Sequence, residues 1–84
     1  MEEINLNEIN TPIDLVHQSL GKKVYVKCRG NRELKGKLHA YDVHLNLMLS
    51  DVEEVYNKEI KRNMDLIYLR GDLVILVSPL IEAK

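Results

Sequence analysis

The stretch "LKGKLHAYDVHLNLMLS", residues 34–50, decides how this chain folds. Its apolar positions are even-numbered at first, at Leu34, Leu38 and Ala40, with Gly36 in the same alternation. From Tyr41 through Val43, Leu45, Leu47 and Leu49 they are odd-numbered. Period-two alternation marks half-buried strands, and a slip of one residue sends side chains to the opposite face. One unbroken strand cannot bury both sets on one side, so the chain must turn or bulge within "YDVHLN". The reversal leaves Asp42, His44 and Asn46 together on the polar side, at the ends of two strands. Gly36 within the first run marks sharp bending, and another phase change near Asp51 implies a second strong bend.

Upstream, Val24, Val26 and Cys28 alternate with Tyr25, Lys27 and Arg29, the pattern of a strand with one buried face. "RGNRE" (29–33) is a turn, with Gly30 and Asn31 tolerating positive φ. Before it, "TPIDLVHQSLG" is punctuated as a helix. Thr11 is the N-cap, Pro12 the first helical residue, Asp14 the capping-box residue and Gly21 the stop. Ile13, Val16 and Leu20 recur at helical spacing, and a segment this short must dock to be stable. His17 within it is expected to be an ordinary helix residue. Downstream, "NKEIKRN" is a polar connector.

The last two strands are continuous apolar runs: Leu66, Ile67, Tyr68 and Leu69, then Leu73, Val74, Ile75, Leu76 and Val77. Such runs mean burial on both faces. A chain of 84 residues has too little material to cover both faces of two strands, so those nine residues are expected to meet neighbouring subunits. Unpaired apolar edges are templates for pairing, and Pro79 is expected to close the sheet. The expected fold is all-β with an N-terminal α-helix: a five-stranded, strongly bent antiparallel sheet forming a small SH3-like open barrel. The helix falls at 12–20 and the strands at about 22–29, 33–41, 46–56, 61–69 and 73–77. Residues 1–10 are expected to be a flexible acidic leader, 11–80 a single domain and 81–84 a C-terminal tail.

A domain of this size buries only about 60–65% of its unfolded surface, a marginal core without help from a partner. The single cysteine, Cys28, excludes a disulfide within the chain. Cysteine scarcity and the lack of a signal-peptide pattern point to a reducing, intracellular setting, with no membrane partner. That setting argues against reading Arg70-Gly71-Asp72 as an adhesion tripeptide. Net charge is −1, with seven cations (Lys22, Lys23, Lys27, Arg29, Arg32, Lys35 and Lys37) opposed locally only by Glu33. Acids gather at Glu2, Glu3, Glu8 and Asp14 and again at Asp51, Glu53 and Glu54. The plain reading of both patterns is a set of solvated strand faces, and the basic cluster is suggestive and no more.

No spacing co-locates a nucleophile with a base, and the interior is too small for a substrate pocket, so no enzyme is expected. Cys28 reads as a small buried hydrophobe. His39, Asp42 and His44 make a poor metal site, because the histidines differ in strand parity and a fourth ligand is missing; neither metal nor cofactor is expected. Nucleic-acid recognition fits the inventory better. Asn46 can read a base edge with a donor and an acceptor, and the planes of His44 and Arg70 can sandwich a splayed base. Asp42 can orient the Asn46 amide or accept from a base imino group, and Gly71 allows close backbone approach. From the residues alone, this reading and one of plain turns with a hairpin at Arg70–Asp72 stand about level.

The segment "VYVKCRGNRELKGKLHAYDVHLNLMLSDVEE" resembles the first motif of the Sm-like (Lsm) family, with Gly36, Leu38, Asp42, Asn46 and Leu49 in order. "LIYLRGDLVILV" resembles the second, a hydrophobic pair followed by Arg-Gly-Asp. The two cover residues 22–77. The resemblance implies a helix-capped Sm barrel whose fourth strand pairs with the fifth strand of a neighbouring Lsm subunit, closing a ring of seven in eukaryotes. It implies a pore that holds the uridine-rich 3′ ends of single-stranded RNA. His44 and Arg70 would stack on the base, Asn46 would bond its edge, Asp42 would brace Asn46, and Gly71 and Asp72 would shape the second loop. It further implies work in pre-mRNA splicing on U6 small nuclear RNA and in mRNA decapping and decay, with splicing and decapping factors as partners in nucleus and cytoplasm. The connector "YNKEIKRN" is shorter than expected of such a subunit. Two alternatives remain: a homomeric RNA-chaperone ring, and an SH3-like assembly module that binds no RNA. An isolated chain can also close a homo-ring on its own unpaired edges.

Overall fold

The computed structural model describes residues 4–80; the tail at 81–84 and the first three residues of the expected leader lie outside them. A short helix, α1 (Pro12–Gln18), precedes five strands: β1 (Lys23–Cys28), β2 (Arg32–Tyr41), β3 (Leu47–Tyr56), β4 (Ile60–Leu69) and β5 (Val74–Pro79). All neighbours are antiparallel, in the order β4-β3-β2-β1-β5. The fold is the expected helix-capped, bent five-stranded sheet, and its two free edges are the two apolar strands.

The bends sit where the alternation changes phase. Lys35 pairs with Glu53 but Lys37 with Ser50, so β3 carries an extra residue opposite Gly36. Asp51 takes it up at φ +51°. Burial in β3 accordingly passes from Leu47 and Leu49 to Val52 and Glu54. A Cβ on Gly36 would lie 3.0 Å from the Ser50 carbonyl oxygen and 3.1 Å from Val52 Cγ2, so the glycine lets the folded-over strand approach. A further register shift falls between Leu38 and Ala40. The inner face holds a core of Val24, Val26, Cys28, Leu34, Leu38, Leu47, Leu49, Val52 and Leu69, closed at one end by Val16 of α1.

The helix is capped as its sequence demands. Asp14 Oδ2 accepts from the backbone amides of Asn10 and Thr11, each at 2.9 Å, and Thr11 Oγ1 accepts from Asp14 N at 3.4 Å. The leader residues before it are tied back: Asn5 N donates to Gln18 Oε1 at 2.8 Å, and a 3-10 turn follows at Leu6–Glu8. The inward face differs from the expected one. Leu20, beyond the helix end, is 37% exposed, while Ser19 is fully buried, its hydroxyl donating to the Leu15 carbonyl at 2.8 Å.

Three more expectations shift. Val43 is 82% exposed rather than part of the inward odd-numbered set, because β2 has ended at Tyr41 and Val43 sits on a turn. The connector after β3 shrinks to residues 57–59, since Asn57 and Lys58 adopt φ +52° and +63° and Glu59 N donates to the Tyr56 carbonyl at 3.2 Å. Two central residues at positive φ make the turn whose twist matches a hairpin. Glu54 is not on a solvated face. It is 3% exposed, accepts from Arg62 Nε at 2.7 Å and lies 3.0 Å from Arg32 Nε as an ion pair.

Candidate nucleic-acid interface

Two loops from distant parts of the chain meet at one end of the barrel. The first joins β2 to β3 across residues 42–46. Leu45 N donates to the Asp42 carbonyl at 3.0 Å, and Asp42 N to the Asn46 carbonyl at 3.2 Å. Leu45 is held at φ +60°, uncommon for a residue with a Cβ, while its side chain packs partly into the core. The second loop runs from Arg70 through a 3-10 turn at Gly71–Leu73 into β5, where Leu73 N donates to the Arg70 carbonyl at 3.1 Å.

Asp42 organises the first loop. Its Oδ1 accepts from the backbone amides of His44 (2.9 Å) and Asn46 (3.1 Å), and its Oδ2 accepts from Asn46 Nδ2 at 2.9 Å. The hydrogen bond from the Asn46 side chain is the chief cause that holds the Asp42 carboxyl below its usual range, and the two backbone amides add to it. Asn46 in turn joins the loops, its Oδ1 accepting from Gly71 N at 2.7 Å. With Nδ2 held by a carboxylate and Oδ1 by an amide, the Asn46 amide cannot flip without losing both bonds. One N–H and one carbonyl lone pair of that amide remain uncommitted.

Gly71 is required at this joint. A Cβ there would fall well inside the contact distance of the His44 carbonyl oxygen and lie 3.0 Å from the carbonyl carbon of Leu45. The close approach expected at this glycine is therefore taken up by the chain's own first loop. His44, Asn46, Tyr68, Arg70, Gly71 and Asp72 line an open cleft of about 650 Å³ over the joint. Arg70 pairs with Asp72 at 3.1 Å, both largely exposed, an arrangement that salt screens easily. Five of the six expected site residues line this cleft; the sixth, Asp42, does not, and reaches it only through its bond to the Asn46 side chain.

Tyr68 lines the cleft too, although its apolar run pointed only to a subunit interface. The signal for it is parity: Tyr68 and Arg70 are two apart, so they share a face of the strand end. The bond between Asn46 and Gly71 spans 25 residues, and local pattern carries no trace of it. The apolar runs divide unequally. Leu66, Tyr68, Leu73, Ile75 and Leu76 are exposed, and Ile67, Val74 and Val77 are half-buried. Leu69, expected at the subunit interface, instead turns into the core at 5% exposure, because strand alternation gives it the inward face.

Comparison with known proteins matches the LSM domain to residues 14–79. LSM complex subunit lsm3 of Schizosaccharomyces pombe is 46% identical, over 81% of this chain and 87% of its own. The probable U6 snRNA-associated Sm-like protein LSm3 of Dictyostelium discoideum is 44% identical, over 94% of this chain and 95% of its own. Among solved structures, the Sm protein of Pyrococcus abyssii in complex with a uridine heptamer superposes with a TM-score of 0.79 at 38% identity. That match covers 84% of this chain and all of the other.

Proposed function

The chain belongs to the LSM-domain family, and on that premise we propose that it is a non-catalytic RNA-binding subunit of a seven-membered Lsm ring, taking uridine-rich single-stranded RNA at the joined loops. One observation carries the reading: the hydrogen bond from Gly71 N to Asn46 Oδ1, which fixes a polar amide under a cleft flanked by His44 and Arg70. The free N–H and free lone pair of the Asn46 amide match the O4 acceptor and N3–H donor of uracil. His44 and Arg70 stack on the two base faces, and such stacking is worth about 1–3 kcal/mol per base. Asp42 braces Asn46 and fixes which end of the amide donates, so the site reads polarity as well as shape.

The ring reading rests on the sheet edges. β4 and β5 end the strand order and leave Leu66, Tyr68, Ile75 and Leu76 exposed. One chain thus carries both halves of a head-to-tail contact, the arrangement that closes rings. The resemblance to subunits named lsm3 and LSm3 supports a mixed ring that acts on U6 small nuclear RNA in splicing and on mRNA in decapping and decay, in nucleus and cytoplasm. Titration of the assembled protein with heptauridine and heptacytidine tests the site. Asn46→Ala and Arg70→Ala are expected to weaken heptauridine binding, and unchanged affinity in both would refute the assignment.

A further inference from the structure

The outer face of the β1–β2 hairpin carries a feature that the two loops do not use. β1 presents Lys23, Tyr25 and Lys27 there, and β2 presents Lys35, Lys37 and His39. The four lysines and His39 are exposed, and Tyr25 is half-buried. Among the described residues none of these four lysines forms an ion pair. Acids around them are Glu33, which stands opposite Lys27 and accepts from the Tyr25 hydroxyl at 2.8 Å, Glu53, opposite Lys35 in β3, and the exposed Asp51 at the bulge beside Ser50, the partner of Lys37. Positive charge is thus in excess on this face of a chain whose net charge is −1.

Two details make the row more than a solvated face. Lys23 stands directly opposite Lys37 in the register, and like charges so placed destabilise a sheet. A bound polyanion removes that repulsion. Moreover, Lys37 and His39 lie on β2, which ends at Tyr41 and passes straight into Asp42 of the base-binding loop. Lys35 and Lys37 are alternate residues of that strand, about 6.8 Å apart, and β2 continues from them, through the register shift between Leu38 and Ala40, to that loop. A row of basic groups with the half-buried ring of Tyr25 among them suits a single strand of nucleic acid, whose backbone is anionic and whose bases stack.

We propose that Lys23, Lys27, Lys35 and Lys37 form a track for the phosphodiester backbone of the RNA outside the loop site. The identity of the polymer rests on the function proposed above; the charge arrangement does not. An acidic protein segment would satisfy the charge alone, but continuity with the loop favours RNA.

The test compares heptauridine with a longer RNA that ends in the same seven uridines, using the full-length assembled protein. In the variant with Lys23→Gln, Lys27→Gln, Lys35→Gln and Lys37→Gln, heptauridine affinity is expected to be unchanged while the extra affinity of the longer RNA is lost. The slope of log K against log salt for the longer RNA becomes shallower by about 2.8, at about 0.7 per phosphate contact. Arginine at the same four positions retains the advantage, which separates charge from folding. A longer RNA that keeps its advantage and slope in the glutamine variant overturns the proposal. So does a loss confined to the binding of polyglutamate, which assigns the face to an acidic protein. If heptauridine fails to bind while the longer RNA still depends on the lysines, the track stands and the loop site falls.

Discussion

Gly71→Ala adds a single methyl group at the contact between the two loops. Its Cβ would overlap the His44 carbonyl oxygen and crowd the carbonyl carbons of Leu45 and His44 at 3.0 and 3.1 Å. These are backbone atoms, and no side-chain rotamer can relieve the overlap. The loops must part by on the order of 1 Å, which takes the 2.7 Å bond from Gly71 N to Asn46 Oδ1 out of hydrogen-bonding range. Overpacking of this kind costs about 1–3 kcal/mol, and in a domain of this size each kcal/mol lowers Tm by about 4–8 °C. A drop of about 4–24 °C is therefore expected by calorimetry. Fluorescence anisotropy with labelled heptauridine, run well below the lowered Tm, should show weaker binding by folded protein, because Asn46 has lost one of its two anchors. Unchanged Tm together with unchanged affinity would refute the joint as the basis of the site.

Glu54 gives a second prediction. Glu54→Gln weakens two charge-assisted contacts at a buried carboxylate while its arginine partners remain 40% and 61% exposed; a loss of about 1–3 kcal/mol in urea titration is expected. At the edges, Leu66→Lys and Ile75→Lys place charge on side chains that are each 59% exposed. They should lower the assembled mass in sedimentation velocity and leave the far-UV spectrum intact, whereas an unchanged mass would remove these edges from the interface. Acid gives the fourth. The folded-state pKa of Asp42 is depressed, so the contribution of its carboxylate is fully present above the ordinary value of 3.8 and is lost only as pH falls through the lower folded value. Heptauridine binding should accordingly be insensitive to Asp42 between pH 7 and about pH 5; a loss centred in that interval and abolished by Asp42→Asn would contradict the bracing role.

Much of the architecture was legible because burial leaves periodic marks. The parity change between Ala40 and Tyr41 and the one near Asp51 mark the β2–β3 turn and the bulge opposite Gly36. The unbroken apolar runs mark the two free edges. What escaped was set by contacts between distant segments. Glu54 resembles its neighbour Glu53 in sequence, yet the bulge at Asp51 turns it inward against Arg32 and Arg62. Val43 follows the apolar alternation but rides a turn that Asp42 builds through its side chain. The polar loop residues were identifiable by type, whereas their mutual geometry depends on Gly71 and Asn46 meeting across 25 residues. Tyr68 could be found only by carrying strand parity through to Arg70.

Photo-crosslinking of a heptauridine that carries 4-thiouridine, followed by peptide mapping of the assembled protein, tests the base site most directly. Adducts are predicted at His44, Tyr68 or Arg70, around the cleft over the Asn46–Gly71 bond, and Asn46→Ala should reduce them. Adducts confined to other surfaces, with both loops unmodified, would contradict the two-loop uridine site.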